Sequence, residues 1–355
     1  MPRTVVQPLT GFREASKSEI AIRSPRPTNV ARHPRQSMIV PATPENIAKG
    51  GQLIKSGGLV AFPTETVYGL GGNAFDAEAV ARIFEAKQRP SFDPLITHIA
   101  DLAMLDHIAA VRDDRVLQAA ERFWPGALTL IVPKRDCIPD LVTSGLATMA
   151  VRMPAHPVAL ALIRGSTGAV AAPSANPFGF LSPTTASHVD AQLGDRVDLI
   201  LDGGTCPIGV ESTVLDLTGT TPVILRPGGI TKDALSDAFG EIAVLDRKVA
   251  SPTAPGQLAM HYAPRKPLRI VDSTADVSDG ARAGALVFGD VSADGFRAVR
   301  NLSPEGNLVK AASNLFAMLH ELDCEPGVDI IYAMRIPEDG IGLAVMDRIY
   351  KASQK

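Results

Sequence analysis

The sequence predicts an α/β protein, and three observations carry that prediction. Short apolar runs of strand length, such as residues 59–62, 128–132, 169–172, 199–201 and 330–334, alternate with segments of helical periodicity. Prolines and glycine pairs close those runs, as in Phe62-Pro63, Met153-Pro154, Ala172-Pro173 and Pro227-Gly228-Gly229. The chain has 355 residues, 45% of them hydrophobic, enough to bury a sizeable core in one large domain or two.

Residues 1–37 are rich in Arg, Pro and Ser and show no hydrophobic periodicity or signal-peptide core. They read as a disordered extension, or as sequence ahead of a true start at Met38, before they read as a targeting segment. From residue 39 the texture changes. Thr43 as N-cap and Pro44 in the first helical position open a helix whose stripe is Ile47, Leu53 and Ile54 and which Gly57-Gly58 stops. Residues 59–62 follow as a buried strand. Next come the tip Thr64-Glu65-Thr66 and an expected Gly-rich turn at Gly69, Gly71 and Gly72, a place to hold an anion on bared backbone.

Asn73 or Asp76 caps the next helix, where Val80, Ile83, Phe84 and Lys87 recur at i, i+3, i+4 and i+7. An inward lysine either snorkels or binds a ligand, and Arg89 two residues on favours binding. Residues 94–99 form a strand on which His98 faces away from Thr97. A helix over 116–123 leads to a strand over 128–132. In the strand over 147–153, Thr148, Ala150 and Arg152 share one face and Met149, Val151 and Met153 the other. That polar face suits an anion site, although a solvated edge arginine would look the same.

An apolar helix over 157–163 precedes a strand over 169–172, which breaks at Pro173-Ser174-Ala175-Asn176-Pro177. Ser174 and Asn176 thus stand beyond a strand's carboxyl end, the usual ligand crevice of open α/β sheets. Ser182-Pro183-Thr184-Thr185 caps a helix through His188. Strands over 199–201, 212–216 and 223–226 follow, the last ending in Arg226 beside Pro227. Lys87, Arg89, Arg152 and Arg226 make four cations available to one polyanion.

Residues 250–267 are proline-rich and aperiodic, too long for a passive loop, so they read as a linker or a flap carrying His261-Tyr262. Beyond them, strands over 268–271, 285–288 and 330–334 and helices over 308–322 and 342–352 predict a small parallel-sheet domain. No Gly-x-Gly-x-x-Gly accompanies it.

The formal net charge of −3 leaves any nucleic-acid contact to a local patch. A double-stranded RNA-binding protein without chemistry is the competing class, which the hydroxyl-rich motifs argue against. Cys137, Cys206 and Cys324 are far apart and match no metal or redox spacing, which suits buried thiols in a reducing cytoplasm. No apolar run reaches the ~18 residues needed to span a bilayer, so no membrane partner is expected. Walker, zinc-binding and serine-hydrolase motifs are absent. Cations, hydroxyls and glycines remain, the equipment for reactions in which positioning and charge neutralisation on phosphates do the catalysis.

Taken together, FPTETVYGLG, KQRP followed by DPLITHI, FWPGALTL, VRMP, PSANPFG, LSPT, ESTVLD and ILRPGG resemble the YrdC/Sua5 family of threonylcarbamoyl-AMP synthases. The segments PGQLAMHYAP, ASNLFAMLHELD and GLAVMDRIYKAS make the chain similar to the two-domain Sua5 type over residues 39–353. The resemblance implies a large domain of twisted mixed sheet with helices around a concave pocket (38–246), a linker or flap (247–267) and a smaller Rossmann-like domain (268–355). It implies a nucleotidyltransferase that uses L-threonine, bicarbonate or CO2, and ATP, and releases pyrophosphate. Its product, L-threonylcarbamoyladenylate, would pass to a transferase that modifies adenosine 37 of tRNAs reading codons that begin with A. A weak contact with tRNA or double-stranded RNA belongs to the same expectation.

By motif, Thr66, His98, Arg152, Ala172 and Ser212 would line the threonine site, with Arg152 on the carboxylate. Arg89, Asp93, Thr148, Ser174, Ser182, Arg226 and Tyr262 would meet the nucleotide, with Lys87 and Arg89 as catalytic cations at the phosphates. Magnesium would travel with the ATP, and no protein metal site is implied. Two departures stand out. Asp93 replaces the family's usual asparagine with an acceptor-only carboxylate, and Gln257, Leu258 and Met260 stand where basic or aromatic residues are common.

Overall fold

Eleven strands make one mixed sheet whose strand ends converge on a single cavity. The computed structural model describes residues 38–245, 254–258, 261–278 and 280–355. The expectations for 1–37 and for much of the linker, Met260 included, lie outside the described residues. The strands are β1 (Ile39–Pro41), β2 (Val60–Phe62), β3 (Gly69–Asn73), β4 (Ile96–Ile99), β5 (Leu128–Pro133), β6 (Thr148–Arg152), β7 (Ala169–Ala171), β8 (Leu199–Asp202), β9 (Thr213–Asp216), β10 (Val223–Arg226) and β11 (Ala243–Val244). Their spatial order is β1-β8-β2-β3-β7-β4-β6-β5-β9-β10-β11.

Local chemistry explains most of the helices around this sheet. In α1 (Pro44–Lys55) the Thr43 hydroxyl accepts from Asn46 N, as the Thr-Pro start predicts. In α2 (Ala77–Lys87) the cap is Asp76, and Val80, Ile83, Phe84 and Lys87 are all buried. The sequence did not mark α3 (Leu102–Ile108), a helix of seven residues capped by Asp101. Next come α4 (Asp114–Phe123), α5 (Asp140–Thr143), α6 (Pro157–Gly165), α7 (Ala186–Gln192) and α8 (Lys232–Phe239). Helices α1 and α6 approach closely because Gly51 has no side chain: a Cβ there would sit 2.7 Å from Gly165 O.

The expected Gly-rich turn is instead strand β3, antiparallel to both β2 and β7. Neighbouring side chains fill the space above its glycines: a Cβ on Gly71 would meet the Phe62 ring at 2.7 Å and Val170 at 2.9 Å. Its backbone groups serve the ladder, so Gly71 and Gly72 cradle no anion, while Gly69 lines the cavity.

The C-terminal lobe holds β12 (Leu268–Val271), β13 (Ala283–Val287), β14 (Ala298–Asn301) and β15 (Ile330–Met334), all parallel in the order β12-β15-β13-β14. Two helices, α9 (Leu308–Cys324) and α10 (Gly342–Ala352), cover it. The sequence missed β14, a short edge strand with only Ala298 buried. One buried apolar cluster joins the lobes, taking in Val67, Leu181, Val210 and Tyr262 together with Leu315, Phe316, Val345 and Ile349. Gly209 lets α9 sit flush, since a Cβ there would lie 2.5 Å from Ala312 O. Among the described residues no helix is long and apolar enough to cross a membrane.

Candidate active site

The cavity lies where the carboxyl ends of β4, β6 and β10 meet the start of β9 and the loops after β2 and β7. Parallel pairing of β4 with β6 sets His98 opposite Arg152, so both side chains come from adjacent strand ends on one face. Thr64, Thr66, Ile96, His98, Arg152, Ala172, Glu211 and Ser212 line it. So do Arg89, Ser174, Arg226, Pro255, Gly256, His261 and Tyr262.

Arg152 has a partner at each of its three guanidinium nitrogens. Its Nε donates to Gly126 O (3.0 Å), Nη1 to Thr66 Oγ1 (2.9 Å) and Nη2 to Glu65 Oε1 (2.5 Å). Ala155 N holds the other Glu65 oxygen at 3.0 Å. Burial alone would raise the Glu65 carboxyl, but the Arg152 guanidinium holds it below its ordinary value. The remaining Arg152 donors are left for a ligand, and the planar fork suits a carboxylate. The Thr64 hydroxyl bonds to Thr66 Oγ1 (2.8 Å) and donates to Val67 O (2.7 Å), fixing the tip of the loop.

His98 is buried, with Nδ1 lacking a hydrogen-bond partner, and burial together with nearby Arg152 pushes it down to about 3. The imidazole is therefore neutral at physiological pH, so it presents a dipole rather than a charge. Burial and the adjacent His188 push His320 of α9 down to about 3 as well. An unfolded histidine titrates near 6.5, so below that pH the unfolded chain binds protons that the native state refuses. The contribution of these two histidines to stability should accordingly be flat above about pH 6.5 and fall as the pH drops toward 3. Thermal unfolding at pH 7.5 and pH 5 checks this: a lower midpoint at pH 5 is expected, with a smaller drop in His320→Gln. Equal midpoints would contradict it.

Three of the seven expected nucleotide residues do not reach the cavity wall in this state. Thr148 lies at the far end of β6 from Arg152, opposite Pro133. The hydroxyl of Ser182 donates to Glu211 Oε1 at 2.5 Å. Asp93 pairs with Arg89 (Nη2 to Oδ2, 2.9 Å), so its charge balances an arginine instead of facing a ligand. Burial raises the Asp93 carboxyl, against the pull of Arg89 and Lys87.

Lys87 needs the same correction. Its ammonium is fully buried and donates to Ser174 O and Asn176 O, both at 2.5 Å. Burial, with Arg89 next to it, pushes its pKa well down. Lys87 thus pins the Pro173–Pro177 loop from behind, and it is Arg89 that lines the cavity. Arg226 differs from the other two lining arginines: among the described residues no carboxylate pairs with it. It donates to Ser212 O (2.8 Å), to Ser212 Oγ (3.1 Å) and to the linker carbonyl of Pro255 (3.2 Å). The Ser212 hydroxyl is itself fixed by Thr129 Oγ1 at 2.7 Å.

Sequence reasoning missed the acids Glu65 and Glu211 and the hydroxyls Thr64 and Thr129. The ESTVLD and TET motifs contain three of these, but an acid or hydroxyl in a motif shows its role only once its arginine or hydroxyl partner is in place. The linker closes the cavity to about 50 Å³, far below the roughly 300–1,000 Å³ of small-molecule sites. Tyr262 is buried in the left-handed region (φ 60°), a conformation a bulky residue adopts only when its surroundings impose it.

The comparisons with known proteins agree with this architecture. A family model described as "Telomere recombination" matches residues 52–228, and one described as "Threonylcarbamoyl-AMP synthase, C-terminal domain" matches 230–354. The chain is 45% identical over 318 residues to the threonylcarbamoyl-AMP synthase of Pyrococcus abyssi, covering 84% of this chain and 92% of that one. It is 44% identical over 324 residues to that of Bacillus subtilis, covering 86% and 92%. The crystal structure of Pyrococcus abyssi Sua5 complexed with L-threonine superposes with a TM-score of 0.83 at 41% identity, covering 88% of this chain and 95% of that one. On these grounds the chain belongs to the YrdC/Sua5 family, in its two-domain Sua5 form.

Proposed function

We propose that the chain is an L-threonylcarbamoyladenylate synthase, which joins L-threonine, CO2 or bicarbonate, and ATP, releases pyrophosphate, and supplies a tRNA threonylcarbamoyl transferase. The observation that carries this reading is that Thr66, His98, Arg152, Ala172 and Ser212 line the same cavity as Arg89, Ser174 and Arg226. The similarity to a relative whose structure holds L-threonine supports it.

In the proposed mechanism the threonine carboxylate takes the donors that Arg152 leaves free. Thr66, Ser212 and neutral His98 offer uncharged polar partners to its hydroxyl and amine. The neutral amine attacks CO2, forming a C–N bond and losing a proton, and a carbamate oxygen then attacks the α-phosphorus. The bond to the bridging oxygen breaks and pyrophosphate leaves with the electron pair. Arg89 and Arg226 would offset the charge on the phosphates in a water-poor site, where such contacts are strongest.

For ATP to enter, the Pro255 carbonyl must leave Arg226 and the linker must lift; its return would shield the short-lived carbamate from water. Glu65, Asp93 and Glu211 each already serve an arginine. They make no metal cage, and magnesium is proposed as a companion of the triphosphate. The test is pyrophosphate release from purified protein, expected only when ATP, threonine and bicarbonate are all present. Release at the same rate without threonine would sink the reading.

A further inference from the structure

Helix α10 of the C-terminal lobe carries three buried charges, Asp347, Arg348 and Lys351, and the last two reach the cavity wall and the linker. Arg348 is wholly buried. Its Nε donates to Glu211 Oε2 (2.7 Å), Nη1 to Asp347 Oδ2 (2.6 Å) and Nη2 to Pro227 O (2.9 Å). The guanidinium also lies 4.9 Å from the centre of the Tyr262 ring. One turn on, Lys351 Nζ donates to Gly256 O of the linker at 2.8 Å and to Asp347 Oδ2 at 2.9 Å. Glu211, Gly256 and Tyr262 line the cavity, and Pro227 follows Arg226, which also lines it.

Docking the lobes does not need these charges. The shared apolar cluster and the close approach of α9 to Gly209 already join them, and burying an ion costs several kcal/mol before its partners compensate. Buried charges are worth keeping where they fix geometry, and every partner here outside α10 belongs to the cavity wall, the linker or the residue after Arg226.

We infer that Arg348 and Lys351 are positioning residues for the proposed synthase reaction. Arg348 sets Glu211 and the β10 end that carries Arg226, and Lys351 holds the linker shut through Gly256 O. The C-terminal lobe thereby takes part in catalysis without touching substrate. The inference rests on the synthase reading. It explains why a lobe with no cavity-lining residue of its own among the described residues belongs to the enzyme.

The experiment compares wild type with Lys351→Met, which keeps the stem and the Asp347–Arg348 pair, with Lys351→Arg, and with Arg348→Lys. Each is assayed for threonylcarbamoyl-AMP formed per ATP consumed, for KM and kcat separately, for thermal midpoint, and for hydrogen exchange in peptides containing Gly256 and Tyr262. Loss of one charged hydrogen bond, about 1.4 kcal/mol or more, should raise uncoupled ATP hydrolysis relative to product by roughly tenfold in Lys351→Met. Exchange in the Gly256 peptide should quicken while the thermal midpoint moves little, and Lys351→Arg should restore coupling. In Arg348→Lys, kcat should fall more than KM rises. Wild-type coupling and exchange in a folded Lys351→Met would overturn the inference, as would a loss in both variants that merely follows the thermal midpoint. A wild-type protein that makes no product would instead defeat the synthase reading, and the exchange data would still decide whether Lys351 holds the linker.

Discussion

Replacing Arg152 with alanine should reduce threonine-dependent pyrophosphate release by about 30- to 1,000-fold, the equivalent of roughly 2–4 kcal/mol for a lost charged hydrogen-bond pair. The effect should appear in kcat/KM for threonine, with ATP affinity changed much less. The substitution also strips Glu65 of its partner, leaving a buried carboxylate bonded to Ala155 N at 3.0 Å and little else. Orphaning one member of such a pair costs about 3–5 kcal/mol, so the thermal midpoint should fall too. Arg152→Lys separates the two effects. It keeps a charge near Glu65 but cannot reproduce the fork that reaches Gly126 O, Thr66 and Glu65 together. Stability should recover in that variant while threonine use stays poor. Unchanged threonine saturation in either variant would remove Arg152 from the substrate site.

The second large effect is expected at Gly228, just beyond Arg226 at the cavity edge. A Cβ there would lie 2.3 Å from Ser212 C and Thr213 N and 2.4 Å from Glu211 O. All three are backbone atoms, so no side chain can swing aside. Gly228→Ala must therefore push the β10 end away from the residues that bring Ser212 and Glu211 to the cavity. Overpacking of this kind costs about 1–3 kcal/mol in stability. Activity should suffer more, because the displaced atoms carry Ser212, its partner Arg226 and the Glu211–Arg348 contact. Thermal unfolding and pyrophosphate release check both parts. Wild-type values in both would mean that this wall has slack the present packing does not show.

Much of this fold was legible in the sequence for local reasons. Strand length, proline breaks and helix caps depend on near neighbours, which is why Thr43-Pro44, the Lys87 stripe and the β10 end at Arg226 came out as expected. All five residues expected by motif at the threonine site line the same cavity. Failures arose where a residue's meaning depends on distant partners. Gly69, Gly71 and Gly72 look like a turn until Phe62 and Val170 are seen to fill the space beside Gly71. Lys87 looks like a phosphate ligand until Ser174 O and Asn176 O take its ammonium. Asp93, four residues from Arg89, turns out to be its counter-ion. Arg348 is separated from Glu211 by 137 positions, and nothing in the α10 sequence indicates that it crosses into the other lobe.

The synthase reading is tested most directly by mass spectrometry of the product. Purified protein incubated with ATP, L-threonine and isotopically labelled bicarbonate should yield threonylcarbamoyl-AMP carrying the label, with one pyrophosphate released for each molecule formed. ATP consumption without that adduct, or an adduct that never carries the label, would contradict it.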